Sequence, residues 1–211
     1  MNYGEKHLNK RGIATLRFDA YGLDESGGDA SELTLTKDVQ GIIDIVDYVR
    51  HELGYKKVAA MGTSYGGQTM LLAAARIDPP FECLVLRAAV SNYKAQEDEK
   101  LGPDGIAKWK ADGDWHWPGK FNPDLRVKYQ FYEDAKQYNS WEEAPKITIP
   151  VLAVHGDQDK DVNITQSQKL VERLPHGKLL TISGAGHTFS EGNAYEESLD
   201  EIFKFFKEYL L

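Results

Sequence analysis

Three kinds of side chain in this sequence stand where acyl-transfer chemistry is feasible. Ser64 sits inside Gly62-Thr63-Ser64-Tyr65-Gly66-Gly67, between an apolar run of strand length (residues 56–61) and a run rich in helix formers (residues 68–76). A G-x-S-x-G turn joining a strand to a helix presents the serine at its apex. The Tyr65 N–H and the first helical turn then face whatever the hydroxyl attacks. Strand and helix backbones nearly touch in such a turn, which is the reason expected for glycine at Gly62 and Gly66. A serine hydroxyl is a poor nucleophile near neutral pH and needs an adjacent base. His187 is the candidate, following a strand-like run (178–182) through Ser183-Gly184-Ala185-Gly186. An acid that fixes the histidine tautomer would complete the set. Asp157, Asp159 and Asp161 all qualify by type, in the turn His155-Gly156-Asp157-Gln158-Asp159-Lys160-Asp161-Val162. The plainer reading of each feature is a glycine-rich turn, a surface histidine and carboxylates bonding their own turn. The alternate aspartates echo a calcium loop but lack its glycine and distal glutamate, so no metal is expected, and the chemistry requires no cofactor.

These residues need elements to bring them together. Residues 1–11 read as the tail of a helix capped by Gly12, 13–18 as a strand and 19–28 as a loop. A helix runs from Thr36 to near Gly54, with Val39, Ile42, Ile43, Val46 and Val49 on one face. Strand 57–61 leads into the serine turn, and the following helix stops before Pro79-Pro80. Residues 82–90, opening on Glu82, read as a strand with no polar alternation except Arg87, as suits a strand covered on both faces. Residues 93–146 interrupt the alternation and hold all four tryptophans, Trp109, Trp115, Trp117 and Trp141. Within them Asn122-Pro123 reads as an N-cap and first turn, opening a helix over 124–138. Strand 149–154, helix 165–174, strand 178–182 and a terminal helix over 198–211 complete the chain. Alternating strands and helices imply a mainly parallel sheet of about five strands flanked by helices. All strand C-termini then share one edge, so Ser64, the acidic turn and His187 meet there.

The 211 residues fit one domain, 41% hydrophobic and 27% charged. A net charge of −8 argues against nucleic acid or an anionic membrane surface as a partner. Cys83 stands alone in an apolar run and is expected to be a buried small hydrophobe. No apolar run approaches the ~20 residues that span a bilayer, and a cytoplasmic protein is expected.

Taken together, the serine turn, His155-Gly156-x-x-Asp159-x-x-Val162, Gly184-x-Gly186-His187 and Arg17-Phe18-Asp19-x-x-Gly22 with Ser26 resemble the α/β-hydrolase superfamily. The nearest likeness is to feruloyl/cinnamoyl esterases, monoglyceride lipases and serine aminopeptidase-like hydrolases, over nearly the whole chain. The resemblance implies an α/β-hydrolase fold and a serine hydrolase of small carboxylic esters. Its triad is Ser64, His187 and Asp159, with Tyr65 in the oxyanion hole. Residues 93–146 become a cap, with Trp115, Trp117 and Trp109 as candidate substrate contacts; the plainer reading has these tryptophans packing the cap onto the body. The rival readings are an aminopeptidase or acyl-peptide hydrolase, and a weak, shortened hydrolase that acts as a binding protein. Asp24 departs from the family's usual glycine. The family's first three strands and its His-Gly oxyanion loop, on the order of 30 residues or more, have no counterpart upstream of residues 1–11. A shortened sheet would make residues 13–18 pair directly with 57–61, or leave a gap protected by a partner chain such as a homodimer mate. The backbone at Asn2–Tyr3 is the candidate substitute for the lost oxyanion donor, in a slow or dimer-dependent esterase.

Overall fold

Side chains at alternate positions of one short strand, Leu84–Arg87 (β2), enter two different cores. Leu84 and Leu86 join one apolar cluster and Val85 the other, each at most 1% exposed. Such a strand must be covered on both faces, as its unbroken apolar sequence predicts. The computed structural model describes residues 3–23, 25–117 and 124–211, with main chain alone for 3–5. Four strands form a parallel sheet in the order Ala60–Thr63 (β1), β2, Val151–Gly156 (β5) and Gly177–Ile182 (β6). Helices Leu35–His51 (α2), Tyr65–Ala74 (α3) and Thr165–Val171 (α7) supply the first cluster through Leu35, Val39, Ile42, Leu71, Leu72 and Leu170. The terminal helix Ala194–Leu210 (α8) supplies the second through Ile202, Phe205 and Phe206, with Tyr3–Asn9 (α1) beside it. Register aligns Thr63 with Arg87 and Arg87 with Val154, so the strand ends form one rim. No helix among the described residues is long and apolar enough to cross a membrane.

Residues 93–146 carry Tyr93–Asp112 (α4), a two-stranded antiparallel ribbon Asp114–His116 (β3) and Arg126–Lys128 (β4), Tyr129–Ala135 (α5) and Ser140–Glu143 (α6). The helix expected over 124–138 is therefore a strand followed by a shorter helix, because Val127 and Trp115 pair across the ribbon before α5 begins. Asn122-Pro123, Asp24 and Asn2 lie outside the described residues. The ends of the segment are tied to the body by buried amides. Gln68 on α3 accepts from the Tyr93 N–H at 2.6 Å and donates to Ser140 Oγ at 3.0 Å. Gln166 on α7 accepts from the N–H groups of Ser91 and Asn92 at 3.1 and 2.9 Å.

One expected strand is not formed, so among the described residues the sheet has four strands where about five were anticipated. Residues 13–18 form no ladder. Ile13 is held in the α8-side core, while Phe18 and Tyr21 pack against the opposite layer, so the run crosses the sheet edge instead of lying in it. It does not pair with β1. A cleft of about 1240 Å³ separates the two, lined by Ile13, Leu16, Val58, Ala59, Met61 and Thr63 among others. In a parallel ladder alternate residues bond opposite neighbours. The N–H of Ala60 donates to the Cys83 carbonyl just before β2, the N–H of Ser64 to that of Arg87 at its end, and the Val58 carbonyl accepts from Glu82 on the same side. By parity the N–H and C=O of Ala59, Met61 and Thr63 face the cleft. We expect those three amides to exchange with solvent orders of magnitude faster than that of Val85, two-sided in the same sheet. Hydrogen exchange read residue by residue checks this; protection of Met61 equal to that of Val85 would show that something covers the edge in solution.

Candidate active site

The Ser64 turn is built by two close approaches. A Cβ added at Gly62 would lie 2.2 Å from the Gly66 carbonyl oxygen, and one added at Gly67 would lie 2.2 Å from the Ala89 Cβ. A Cβ at Gly66 would meet nothing within 4 Å, so the tight positions are Gly62 and Gly67, not Gly62 and Gly66. Helix α3 presses against the β2 end at its third residue, one turn position later than the sequence pattern suggested. Ser64 takes φ 53°, ψ −126°, a costly backbone state for a residue with a side chain. It is over-determined here: the Ser64 N–H donates to the Arg87 carbonyl at 3.1 Å, and the Ser64 carbonyl accepts from Gly67 and Val90 at 2.9 Å each. The Tyr65 N–H opens α3 and has no intrahelical partner, as for any first-turn amide.

At the same rim the His187 Nε2 lies 3.0 Å from Ser64 Oγ, and its Nδ1 lies 2.8 Å from Asp159 Oδ2. A carboxylate only accepts, so Nδ1 carries the proton; in the neutral ring Nε2 then accepts from the serine. Of the three rival aspartates, Asp159 stands beside the histidine. Asp157 is exposed and accepts from the Gly184 N–H at 2.7 Å, and Asp161 is exposed with its carbonyl bonded to Gln96.

Asp159 has no exposed side-chain surface and is met by four donors. Oδ1 accepts from the N–H groups of Asp161 and Val162 at 2.9 Å each; Oδ2 accepts from His187 and, at 3.2 Å, from His155 Nε2. Burial by itself raises this carboxyl's pKa. The hydrogen bonds from His155, His187 and Val162, with the His187 charge, outweigh it and hold the group well below the ordinary carboxylate range. His155 is wholly buried, and its ring also meets the Val162 carbonyl at 3.0 Å and Ser167 Oγ at 2.8 Å. Its bonds are all to the turn and to α7, a packing place at the head of the turn. Its direct contact with Asp159, four residues on, is not legible in sequence, because it depends on how the turn closes. Asp159, Asp161 and His187 also bring ligand-type atoms within 4.8 Å of one another, but Asp159 and His187 are already bonded to each other.

Asp38 was not singled out by sequence. It lies in the first turn of α2, 7% exposed, and its Oδ2 accepts from the Tyr65 hydroxyl at 2.8 Å. Burial pushes its pKa up to about 6, and the tyrosine hydrogen bond opposes the shift only in part. The Tyr65 ring packs against Tyr93 and Phe131, with centroids 6.0 and 5.5 Å away, so the residue after Ser64 is held by its ring as well as by its hydroxyl.

The tryptophans divide. Trp109 has no exposed surface and donates from Nε1 to the Val127 carbonyl at 2.9 Å; it fills the core of the 93–146 segment and offers no surface to a substrate. Trp115 and Trp117 are half-buried. Trp117 stacks on Tyr93 at 5.9 Å, one ring removed from Tyr65.

The geometry has relatives. Est1E from Butyrivibrio proteoclasticus, solved with ferulic acid bound, superposes with a TM-score of 0.85 at 28% identity, covering 98% of this chain and 81% of that one. A monoacylglycerol lipase of Paleococcus ferrophilus shares the fold at TM-score 0.71 and 21% identity, over 96% of this chain and 86% of that one. The mitochondrial palmitoyl-protein thioesterase ABHD10 of Mus musculus is 24% identical over 172 residues, 81% of this chain and 57% of its own length. The chain thus spans little more than half the length of the ABHD10 thioesterases of Mus musculus and Homo sapiens. The fold is that of the α/β-hydrolases, and over residues 6–211 the sequence matches, and the chain belongs to, the prolyl oligopeptidase family.

Proposed function

We propose that the protein is a serine hydrolase that cleaves carboxylic esters through an acyl-enzyme on Ser64. The observation that carries this is the unbroken hydrogen-bonded chain from Ser64 Oγ through His187 to Asp159, at 3.0 and 2.8 Å. His187 takes the serine proton as Oγ attacks the ester carbonyl, and Asp159 stabilises the imidazolium formed. The Tyr65 N–H donates to the tetrahedral oxyanion. His187 passes its proton to the leaving alcohol, and the same steps with water as nucleophile release the acid. In this reading residues 93–146 form a cap, with Trp115 and Trp117 at its inner side. The stack of Trp117 on Tyr93, which touches Tyr65, supports a place for the acyl or aromatic part of the substrate there.

The family supplies a second reading, an aminopeptidase or acyl-peptide hydrolase, because triad chemistry serves amides as well as esters. One panel tests both. The protein is assayed with p-nitrophenyl esters of rising acyl length, a methyl hydroxycinnamate, a palmitoyl thioester and an aminoacyl p-nitroanilide. We expect kcat/KM on at least one oxygen ester to exceed that on the anilide by two orders of magnitude. The reverse ranking would establish the peptidase reading. No turnover, with no labelling of Ser64 by a fluorophosphonate, would leave the third: a weak, binding-type hydrolase.

A further inference from the structure

We infer that Arg87 is the positioning residue for His187, an inference that rests on the serine-hydrolase reading above. Arg87 ends β2 at the rim, in register with Thr63 on one side and Val154 on the other. Its carbonyl accepts the Ser64 N–H. Its side chain runs beneath the histidine loop, where Nη2 donates to the carbonyl of Thr188 at 3.3 Å. The guanidinium carbon lies 4.3 Å from the Phe189 ring centroid and 4.8 Å from that of Tyr195. One residue therefore holds the nucleophile through its main chain and the base through its side chain.

The chemistry of the site argues that this arginine is more than packing. It is 9% exposed, and among the described residues no carboxylate pairs with it and its Nε has no hydrogen-bond partner. A buried guanidinium without a counter-ion is unfavourable, and a methionine would fill the space beside the two rings without that cost. What an aliphatic side chain cannot do is donate to the Thr188 carbonyl. That carbonyl belongs to a stretch no ladder or helix positions: Phe189 follows at φ 58°. The loop's other side-chain anchors, Asp157 on the Gly184 N–H and Glu191 on the Gly186 N–H, are exposed, so water can stand in for them, and the Gln158 N–H holds only the Ala185 carbonyl, two residues before His187. Arg87 holds the loop from within, on the base's own side. Without it, the ring keeps only its bond to Asp159 and shifts from Ser64 by an amount on the order of 1 Å, a displacement that costs about 10²-fold in rate.

The test compares Arg87→Met, Arg87→Lys and the parent. Measurements are kcat and KM on the best ester of the panel, the rate of Ser64 labelling by a fluorophosphonate, and Tm. We expect Arg87→Met to lose about 10²-fold in kcat and in labelling rate, with KM changed less than about twofold and Tm unchanged or higher; Arg87→Lys, which keeps a donor, recovers part of the loss. A purely structural role would instead lower Tm in both variants and leave kcat intact below the transition. That result, or a parental labelling rate in Arg87→Met, would overturn the inference. Should Arg87→Met fail to fold, Arg87→Gln, polar but too short to reach Thr188, is expected to show the same loss in kcat, and parental kcat there overturns the inference equally. A parent that the fluorophosphonate does not label refutes the serine-hydrolase reading; a parent labelled no faster than Arg87→Met refutes only the role of Arg87.

Discussion

Ser64→Ala is expected to reduce ester hydrolysis to the background rate while leaving the fold unchanged. In a triad that acts as a unit, loss of the nucleophile costs on the order of 10⁶ in kcat, and what survives comes from binding and the oxyanion donor alone. The substitution is clean at this position. The strained backbone at φ 53° is imposed by the hydrogen bonds of its main chain to Arg87, Gly67 and Val90, and alanine keeps every one of them. Its methyl group also occupies the same space as the serine Cβ. Melting temperatures should agree within about 2 °C, under 1 kcal/mol for a domain of this size. Activity that persists at more than a few per cent of parent, in protein freed of contaminating esterase by an inactive-host control, would remove Ser64 from the mechanism.

Asp159→Asn carries the second largest effect, and it acts through tautomer as well as charge. Four donors converge on the two oxygens of Asp159: the Asp161 and Val162 N–H groups on Oδ1, and His155 and His187 on Oδ2. An asparagine has one oxygen. If the oxygen keeps the main-chain donors, its NH₂ faces His187 Nδ1, which must then give up its proton to accept; Nε2 becomes the donor and can no longer take a proton from Ser64. We expect kcat to fall about 10⁴-fold, the cost of a wrong tautomer in this kind of site. Tm should fall by several degrees, because an amide turned against the buried His155 leaves a donor unsatisfied at about 1–3 kcal/mol. The parent's depressed carboxyl pKa has its own consequence. The stability it contributes is complete above the unfolded value near 4 and is lost as pH falls toward the lower folded value, so the parent should lose more stability on acidification than Asp159→Asn. Asp157→Asn is the control: it touches the Gly184 N–H and not the ring, and a loss beyond about tenfold would show that the acid has been misassigned.

Much of this was legible without coordinates, for a physical reason. Strand and helix patterning, and glycines at turns, report local steric demands that each segment carries by itself. Hence the alternation of elements, the strand-to-helix turn at Ser64 and the loop glycines before His187 were all in view. So was the burial of β2 on both faces, because a continuous apolar strand admits no other environment.

The tertiary structure decided what depends on distant approach. Whether Gly66 or Gly67 meets a neighbour is set by Ala89 at the end of another strand, which no turn pattern contains. Residues 13–18 have the composition of a strand, yet a strand exists only where a partner lies one ladder spacing away, and here a cleft intervenes. Three aspartates at alternate positions are equivalent by type; only closure of the turn on Val162 and His155 turns Asp159 toward His187. Trp109, Trp115 and Trp117 look alike as candidates, and packing sends the first into the core and leaves the others half-buried. Arg87, read in sequence as the one polar interruption of an apolar strand, gains its meaning only from the Thr188 carbonyl, 101 residues away along the chain.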